Sequence, residues 1–464
     1  MDLNRKIRFG VLVESATFEW WQQDTVKLLI DNKIEHIFTD RDLAGHTAEK
    51  LDFVLSFRAD EPEEEHLKNI RYGVWKFCYD GLSEFLKGIP CCVVSLCQIT
   101  NKKDKPLILR HLTLDTILHS YKANRNRMLK EMEILPLQVC KELIVNGILE
   151  PELSQPKSPT LNSPKNPSVI RYFWLSIWRR FAFHWNYFFK QEDWNVGYYF
   201  NTNPDETHWL KPPKTDYFAD PFVISNDKDT YLFFEWFSNK RGKADLAIAK
   251  KSENFETYHK ITDFPEHRSY PFVFEYQGVI YCIPEAHRTN KISLYRFVET
   301  HGRASLQWDC DLLQGCFVDS TLHHHIDGKW YLFTTPQKQS HSHLIIFVAD
   351  DLRGPYRPHF NNPVKVDCSD SRPAGKIQNI DGELVRSGQN STHHYGESIT
   401  LNKIIQLDEY QYIEKTIKEI KPDVKWTYNK GIHTINSDGE ITVFDAKRFT
   451  FTWKGFIQQI KQKC

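Results

Sequence analysis

The sequence lacks several features that define common protein classes. Its 10 cysteines include the adjacent pair Cys91 and Cys92 but no C-x-x-C spacing, which argues against a disulfide scaffold or a cysteine zinc site. No G-x-G-x-x-G or P-loop pattern occurs, so no nucleotide site follows from a motif. The first ten residues contain no apolar run typical of a signal peptide, and we therefore expect a cytoplasmic protein.

An excess of charge of one sign is also missing, because the chain of 464 residues contains 60 basic and 60 acidic residues. This balance argues against binding nucleic acid through an overall field, and we expect no nucleic-acid partner. Aromatic residues, in contrast, make up 14% and include 13 tryptophans, which favours β structure. A chain of this length exceeds what one hydrophobic core usually organises, so two domains are expected.

The N-terminal part, residues 1–150, alternates short apolar runs with helical segments. A buried strand is predicted within 6–15, followed by a helix to about Lys33 and by the runs "HIFT" and "DFVLSF". This alternation predicts an α/β domain with an open sheet. Residues 153–168 are rich in proline and serine and predict a linker, within a connecting segment 151–191, and residues 453–464 predict a C-terminal tail.

A long aromatic segment, "VIRYFWLSIWRRFAFHWNYFFK", occupies residues 169–190. It is long enough to cross a bilayer, but Arg179 and Arg180 at its centre make a spanning helix unfavourable. Two interpretations stay open. The segment is either a helix packed between domains, or a basic aromatic helix lying on a membrane surface, which would make the protein peripheral to the inner membrane.

From residue 192 to 452 the sequence repeats with a period near 50 residues. Each copy has an apolar strand, a turn with glycine and a second strand, and Asp-Gly between two such strands is a strong hairpin signal. A hairpin repeat of this period predicts a β-propeller with five blades. Equivalent strand positions in the five copies are occupied by Asp220, Tyr270, Asp319, Arg372 and, less clearly, His433.

Equivalent positions on the innermost strands of a propeller converge on one end of the central channel, so these five residues are predicted to line one pocket. The alternative is that they cap strands or join blades. We assign Asp220 and Asp319 as catalytic candidates. The candidate substrate-binding residues are Tyr270, Glu285, His323, Arg372, Gln389, Tyr395, Glu397 and His433. A metal held by His323, His325 and His433 is the less favoured alternative, and no metal is predicted.

The stretch "FADPFVI" at 218–224 resembles the opening of the five-bladed propeller of glycoside hydrolase family 43. In that family a blade-one aspartate is the general base and an aspartate in a middle blade tunes pKa. The resemblance implies the first role for Asp220 and the second for Asp319. Where that family has its general acid, this sequence has Arg372, which cannot give up its proton but is suited to binding phosphate. Hydrolysis needs a second carboxyl group, for which Glu397 is the best substitute.

A wider set of motifs, including "YPFVFEYQGVIYCIPEA", "RPAG" and "GELVRSGQNSTHHYGESITLNKI", resembles the glucosamine inositolphosphorylceramide transferase N-terminal family and its bacterial members. The resemblance implies a glycosyltransferase that uses a phosphate-bearing donor, such as a nucleotide sugar, in polysaccharide or glycolipid biosynthesis, with no other cofactor. Its partners would be sugar or glycolipid substrates. Two alternatives remain: a non-catalytic glycan-binding or assembly protein, and a family 43-like hydrolase.

The N-terminal domain resembles the formyltransferase fold more faintly. The stretch "YGVWKFCYDG" lacks the histidine of that fold's active site, and Asp115 is not followed by the expected glycine. The resemblance therefore implies a degenerate domain that kept the fold and lost the chemistry, unless His111 or His119 replaces the missing histidine.

Overall fold

The computed structural model describes residues 5–14, 18–41, 43, 46, 50–58, 70–99, 106–151, 169–261, 264–300 and 303–451. The chain divides into two compact units, Met1–Phe181 and Ala182–Cys464. The division lies inside the segment 151–191 that the sequence marked as a connection. The predicted linker at 153–168 and the predicted tail at 453–464 lie outside the described residues.

The first unit contains one six-stranded sheet and five α-helices among its described residues. The strands are β1 Arg8–Leu12, β2 Glu35–Asp40, β3 Phe53–Ser56, β4 Val74–Cys78, β5 Cys91–Ile99 and β6 Leu107–Asp115. The helices are α1 Trp20–Asp31, α2 Leu82–Lys87, α3 Tyr121–Glu131, α4 Leu135–Asn146 and α5 Val169–Phe189, the last of which continues into the second unit.

The sheet is mixed, with strand order β2-β1-β3-β4-β5-β6. The first four strands pair in parallel, and β5 and β6 add antiparallel neighbours. The short central strands are apolar and buried on both faces, as in β3 with its sequence FVLS, which is the pattern of parallel strands covered by helices. The α/β organisation expected from the sequence is present. The candidate Asp115 forms an ion pair with Arg127 at 3.0 Å.

The described residues of the second unit form five antiparallel sheets, which confirms the predicted five-bladed propeller. Its strands are β7 Lys190–Phe200, β8 His208–Trp209, β9 Asp216–Ser225, β10 Thr230–Ser238, β11 Lys243–Lys250, β12 Tyr258–Lys260, β13 Ser269–Tyr276, β14 Val279–Glu285, β15 Lys291–Thr300, β16 Arg303–Gln314, β17 Phe317–His324, β18 Trp330–Pro336, β19 His343–Ala349, β20 Arg357–Pro358, β21 Lys365–Val366, β22 Arg372–Pro373, β23 Gln378–Ile380, β24 Glu383–Asn390, β25 Ser398–Leu407, β26 Tyr412–Ile420, β27 Ile435–Ser437 and β28 Ile441–Phe451.

Blades 1 to 4 are built from consecutive strands, β9–β12, β13–β16, β17–β21 and β22–β26. Blade 5 joins the two ends of the propeller sequence, because β28 pairs with β7 along its whole length and β8 follows β7. The innermost strands β9, β13, β17, β22 and β27 are neighbours around the channel, with β22 followed by β27 through a bond from the Ile435 N–H to the Ala374 carbonyl. Apolar side chains fill the spaces between successive blades.

Two of the four glycine turns that indicated the repeats have the backbone that Asn-Gly and Asp-Gly turns require, whereas Asp327-Gly328 and Asp438-Gly439 have positive φ only at the glycine. Gln277 and Gly278 have φ of 53° and 76°, and Asp381 and Gly382 have φ of 52° and 83°. Positive φ at both central residues is the signature of the turn whose twist matches antiparallel strands. The sequence signal therefore identified real hairpins.

Candidate functional site

Three of the five aligned positions share an unusual backbone. Asp220, Tyr270 and Asp319 have φ of 50°, 42° and 51°, a left-handed conformation that is uncommon for residues other than glycine. At each of them the pairing of the innermost strand with the next strand shifts register, as in a β-bulge. The bulge turns the backbone N–H out of its own sheet.

Each of these N–H groups donates to a carboxylate of the preceding blade. The Asp220 N–H bonds Asp445 of blade 5 at 2.8 Å, and the Tyr270 N–H bonds Asp220 of blade 1 at 3.1 Å. The Asp319 N–H bonds Glu285 of blade 2 at 3.3 Å. One repeated backbone hydrogen bond therefore links blades 5, 1, 2 and 3.

The Asp220 carboxylate is fully engaged by neighbouring blades. Besides the Tyr270 N–H on Oδ2, its Oδ1 accepts the Thr434 hydroxyl at 2.9 Å and lies 3.2 Å from Nε2 of His433. Burial alone would raise the pKa of Asp220, but the His433 imidazolium and the Thr434 hydrogen bond hold it at about 2. Asp220 is thus a buried anion.

His433 lies between two carboxylates. Its Nδ1 is 2.7 Å from Asp445 and its Nε2 faces Asp220, while Asp445 also accepts the backbone N–H groups of His433 and Thr434. Burial disfavours the charged ring, but Asp445 and Asp220 raise the pKa of His433 to about 10. The ring is therefore a cation held between two anions.

Glu235, like Asp445, is an acid that the sequence interpretation missed. It lies in β10 opposite Ala219, is buried, and shares a hydrogen bond with Asp220. Burial, next to the Asp220 carboxylate, raises the pKa of Glu235 well above its usual range. Glu235 is therefore a neutral carboxylic acid that donates to an ionised one.

Asp319 binds the arginine of blade 4. Its Oδ2 accepts Nε of Arg372 at 2.5 Å and Nε2 of Gln389 at 2.8 Å. Burial raises the pKa of Asp319 to about 7, with Arg372 opposing the rise and Glu285 adding to it. Burial would raise the pKa of Glu285 as well, but the 2.8 Å bond to His287 and the charge of Arg372 outweigh burial, so the pKa of Glu285 is lowered.

Aromatic rings pack around this cluster. The Tyr270 hydroxyl accepts the Gly375 N–H and lies 2.9 Å from Thr321, which joins blades 2, 3 and 4. Gly375 has φ of 141°, and a Cβ there would lie 2.2 Å from the Ile435 carbonyl oxygen, so only glycine fits. The Tyr395 ring centre lies 4.9 Å from the Arg372 guanidinium carbon.

The structure thus brings seven of the ten sequence candidates into direct contact in two groups: Asp220, Tyr270 and His433 form one, and Glu285, Asp319, Arg372 and Gln389 form the other. Tyr395 joins them over Arg372 and lies 5.2 Å from the His433 ring. Two candidates lie apart. His323 is four residues further along its strand, 3.4 Å from His325, and Glu397 binds His393 in a loop after β24.

Among the described residues, one group could hold a metal ion: Asp220, His433 and Asp445, whose ligand atoms lie within 4.8 Å of one another. The two carboxylates raise the pKa of His433 to about 10 against the effect of burial, and a metal ligand must be deprotonated, so a metal would have to displace this proton. We call these three residues the ion triad.

Fold and site together define the second unit as a five-bladed propeller with a buried cluster of acids, one arginine and one imidazolium on and beside its innermost strands. Residues 205–454, more than half of the chain, match the family described as "Glucosamine inositolphosphorylceramide transferase 1, N-terminal". The chain belongs to this family.

Among curated proteins, the chain is similar to the Glucosamine inositolphosphorylceramide transferase 1 of Oryza sativa subsp. japonica, with 30% identity over 211 residues. The Arabidopsis thaliana protein of the same name is 31% identical over 211 residues. These matches cover 43% of this chain and 28% and 27% of the two relatives. The chain therefore matches less than a third of the length of these relatives.

Among solved structures, the chain is similar to a thermostable family-43 glycoside hydrolase, with 18% identity, coverage of 44% of this chain and 77% of that one, and a TM-score of 0.33. It is also similar to a family 117 glycoside hydrolase of Zobellia galactanivorans, with 13% identity, coverage of 56% and 90%, and a TM-score of 0.36.

Proposed function

We propose that this protein is carbohydrate-active and takes part in glycosyl transfer, with the propeller binding a phosphate-bearing sugar or glycolipid substrate at Arg372. The observation that carries the proposal is the placement of this arginine. Arg372 is bound by Asp319, which also accepts a hydrogen bond from Gln389. The family to which the chain belongs is named for a transferase. The names of the plant relatives contain both a sugar and an inositolphosphoryl group, and the second carries a phosphate ester.

The geometry of Arg372 suits such a ligand. Within the described residues its bond to Asp319 uses Nε, and the two terminal Nη groups are the fork that binds phosphate oxygens in pairs. Tyr395 over the guanidinium adds a ring on which a sugar or base can pack. Asp319, with its pKa raised to about 7 by burial, is the candidate for moving a proton.

Hydrolysis by a pair of carboxyl groups is less well supported. Glycosidases keep their two carboxyl groups roughly 5 to 9.5 Å apart, so that a sugar, or a sugar and a water, fits between them. Glu235, the neutral acid, is instead hydrogen-bonded directly to Asp220. This pair leaves no space for a glycosidic bond, and Arg372 occupies the blade 4 position.

A non-catalytic glycan-binding module is the second candidate, and one observation favours it. Both oxygens of Asp220 accept bonds from blades 2 and 5, so Asp220 is less available as a base than the sequence suggested. If the propeller is such a binding module, it holds the substrate, and the reacting groups belong to another part of the chain or to a partner.

Ligand binding tests the proposal. Purified full-length protein is screened by thermal shift and calorimetry against nucleotide sugars, inositol phosphate and the matching neutral sugars, since a ligand of the folded state raises the melting temperature. Arg372→Lys keeps the charge but loses the fork, and we expect it to weaken phosphate-bearing ligands at least about tenfold and neutral sugars little. Arg303→Lys, at an exposed position in β16, is the matched control.

Equal losses for phosphorylated and neutral ligands would show that Arg372 does not bind phosphate. Wild-type protein that binds no phosphorylated sugar would reject the proposal itself. Transfer assays with Asp220→Asn, with rates expressed per folded molecule, separate the two candidates. A catalytic base contributes about 10²- to 10⁴-fold in rate, whereas a binding module would show no turnover to lose.

For the first unit, we propose a formyltransferase-like domain without formyl-transfer activity. The ion pair of Asp115 with Arg127 supports this proposal, because it gives the carboxylate a structural partner. The cytoplasmic location expected from the sequence stays a prediction.

A further inference from the structure

Helix α5 exposes a band of large apolar side chains in its first half. Phe173, Trp174, Ile177 and Trp178 are 57%, 64%, 46% and 66% exposed. Trp174, Ile177 and Trp178 follow Phe173 by one, four and five residues, which places all four on one face of the helix. Phe181, one turn further on, is 56% exposed on the same face. We call these five residues the aromatic face.

The opposite side of α5 is anchored to the first unit. The Tyr172 ring centre lies 5.8 Å from that of Phe85 in α2, and the Arg179 guanidinium donates to the carbonyl oxygens of Phe85 and Leu86. A cation at these last carbonyl groups of α2 is favoured by the helix dipole. Arg179, which the sequence placed in an unfavourable position for a spanning helix, is therefore the anchor that directs the aromatic face outward.

The charge of α5 has one sign. Its 21 residues contain three arginines, Arg171, Arg179 and Arg180, and no aspartate or glutamate, and Arg180 is exposed. In the described part of the chain, no helix is long and apolar enough to cross a membrane. A basic helix that exposes tryptophan and phenylalanine has the composition of helices that lie in the membrane interface.

We propose that α5 binds the surface of an anionic lipid bilayer, with Trp174 and Trp178 inserted at the level of the head groups. Tryptophan favours this boundary because its ring is apolar and its N–H is polar. The exposed Arg180 and the absence of acids provide the charge complementarity with anionic head groups. The inference does not depend on the proposed function, although a membrane-bound protein could reach a glycolipid.

Vesicle flotation of the full-length protein tests the proposal. We expect it to bind vesicles of phosphatidylcholine with about one third phosphatidylserine, and to bind pure phosphatidylcholine at least about tenfold more weakly. Trp174→Glu with Trp178→Glu should reduce binding to the anionic vesicles at least about tenfold. Trp308→Glu is the matched control, because Trp308 in β16 is 62% exposed and should bind like the wild type.

Melting temperatures of all variants establish that they fold, and sedimentation shows whether they associate. The proposal is overturned if the wild type does not float with anionic vesicles, or if the double variant binds as well as the wild type. It is also overturned if the aromatic face instead holds two copies together, seen as a wild-type dimer that the double variant converts to a monomer while neither binds vesicles. Arg180→Glu should reduce binding to anionic vesicles and leave the weak binding to neutral ones unchanged.

Discussion

The aligned residue bonds to a neighbouring blade through its backbone in blades 1 to 3 and through its side chain in blades 4 and 5. In the first three, the aligned residue has positive φ and reaches the preceding blade through its backbone N–H. Arg372 and His433, both described residues, are not among those with positive φ, and they reach Asp319 and Asp220 through cationic side chains.

The difference shows how the ring balances charge. The carboxylates that accept these N–H groups lie on the innermost strand at Asp220 and on the second strand of the blade at Glu285 and Asp445. Isolated buried anions are strongly unfavourable. The two cationic side chains of blades 4 and 5 compensate for them, one beside Asp319 and one between Asp220 and Asp445. Acids and cations at this position are therefore needed by the fold, and a ligand must compete with these internal bonds.

The largest expected effect tests the link between blades 5 and 1. Asp445→Ala removes the acceptor of three backbone N–H groups and the partner of His433, so we expect a loss of about 3 to 5 kcal/mol in the free energy of unfolding, measured with urea. Glu285→Ala removes the acceptor of one such N–H and should cost less. Asp205→Ala, at an exposed position, should be neutral. Equal losses at 445 and 285 would contradict the special role of blade 5.

The sequence predicted much of this arrangement. The hairpin turns indicated the repeat, and the repeat placed Asp220, Tyr270, Asp319 and Arg372 at equivalent positions. The structure bonds Asp220 to Tyr270 and Asp319 to Arg372. Glu235 and Asp445 were missed because they lie on other strands of the blades, where no repeat aligns them.

A signal for these two acids was nevertheless present. Each is a lone carboxylate inside an apolar strand, in "LFFEWF" and "TVFDA", and buried acids need a partner. The left-handed backbone at Asp220 and Tyr270 could not be predicted, because it results from contacts between blades and not from local propensity.

The second prediction concerns the pH dependence of stability that the imidazolium of His433 in blade 5 should cause. Neighbouring carboxylates raise the pKa of His433 to about 10 from a usual value of 6.5. A histidine whose pKa is higher in the folded protein than in the unfolded protein stabilises the fold fully at a pH below its unfolded-state pKa. This stabilisation is lost as the pH rises towards its folded-state pKa. Between pH 6.5 and 10 we therefore expect the wild type to lose stability more steeply than His433→Gln. Parallel curves for the two proteins would show that His433 is neutral and that the triad is not ionic.

The smallest effect is expected at Glu235 in blade 1, whose neutral carboxyl group is bonded to the ionised carboxylate of Asp220. Glu235→Gln replaces a neutral donor by a neutral donor of the same size, so urea unfolding should show a loss below about 1 kcal/mol. Asp220→Asn removes the anion that faces the His433 imidazolium, and should cost about 3 to 5 kcal/mol because a buried cation loses a partner. If Glu235→Gln were the more damaging change, the proton would belong to Asp220, and the link between blades 1 and 5 would be a neutral hydrogen bond instead of an ion pair.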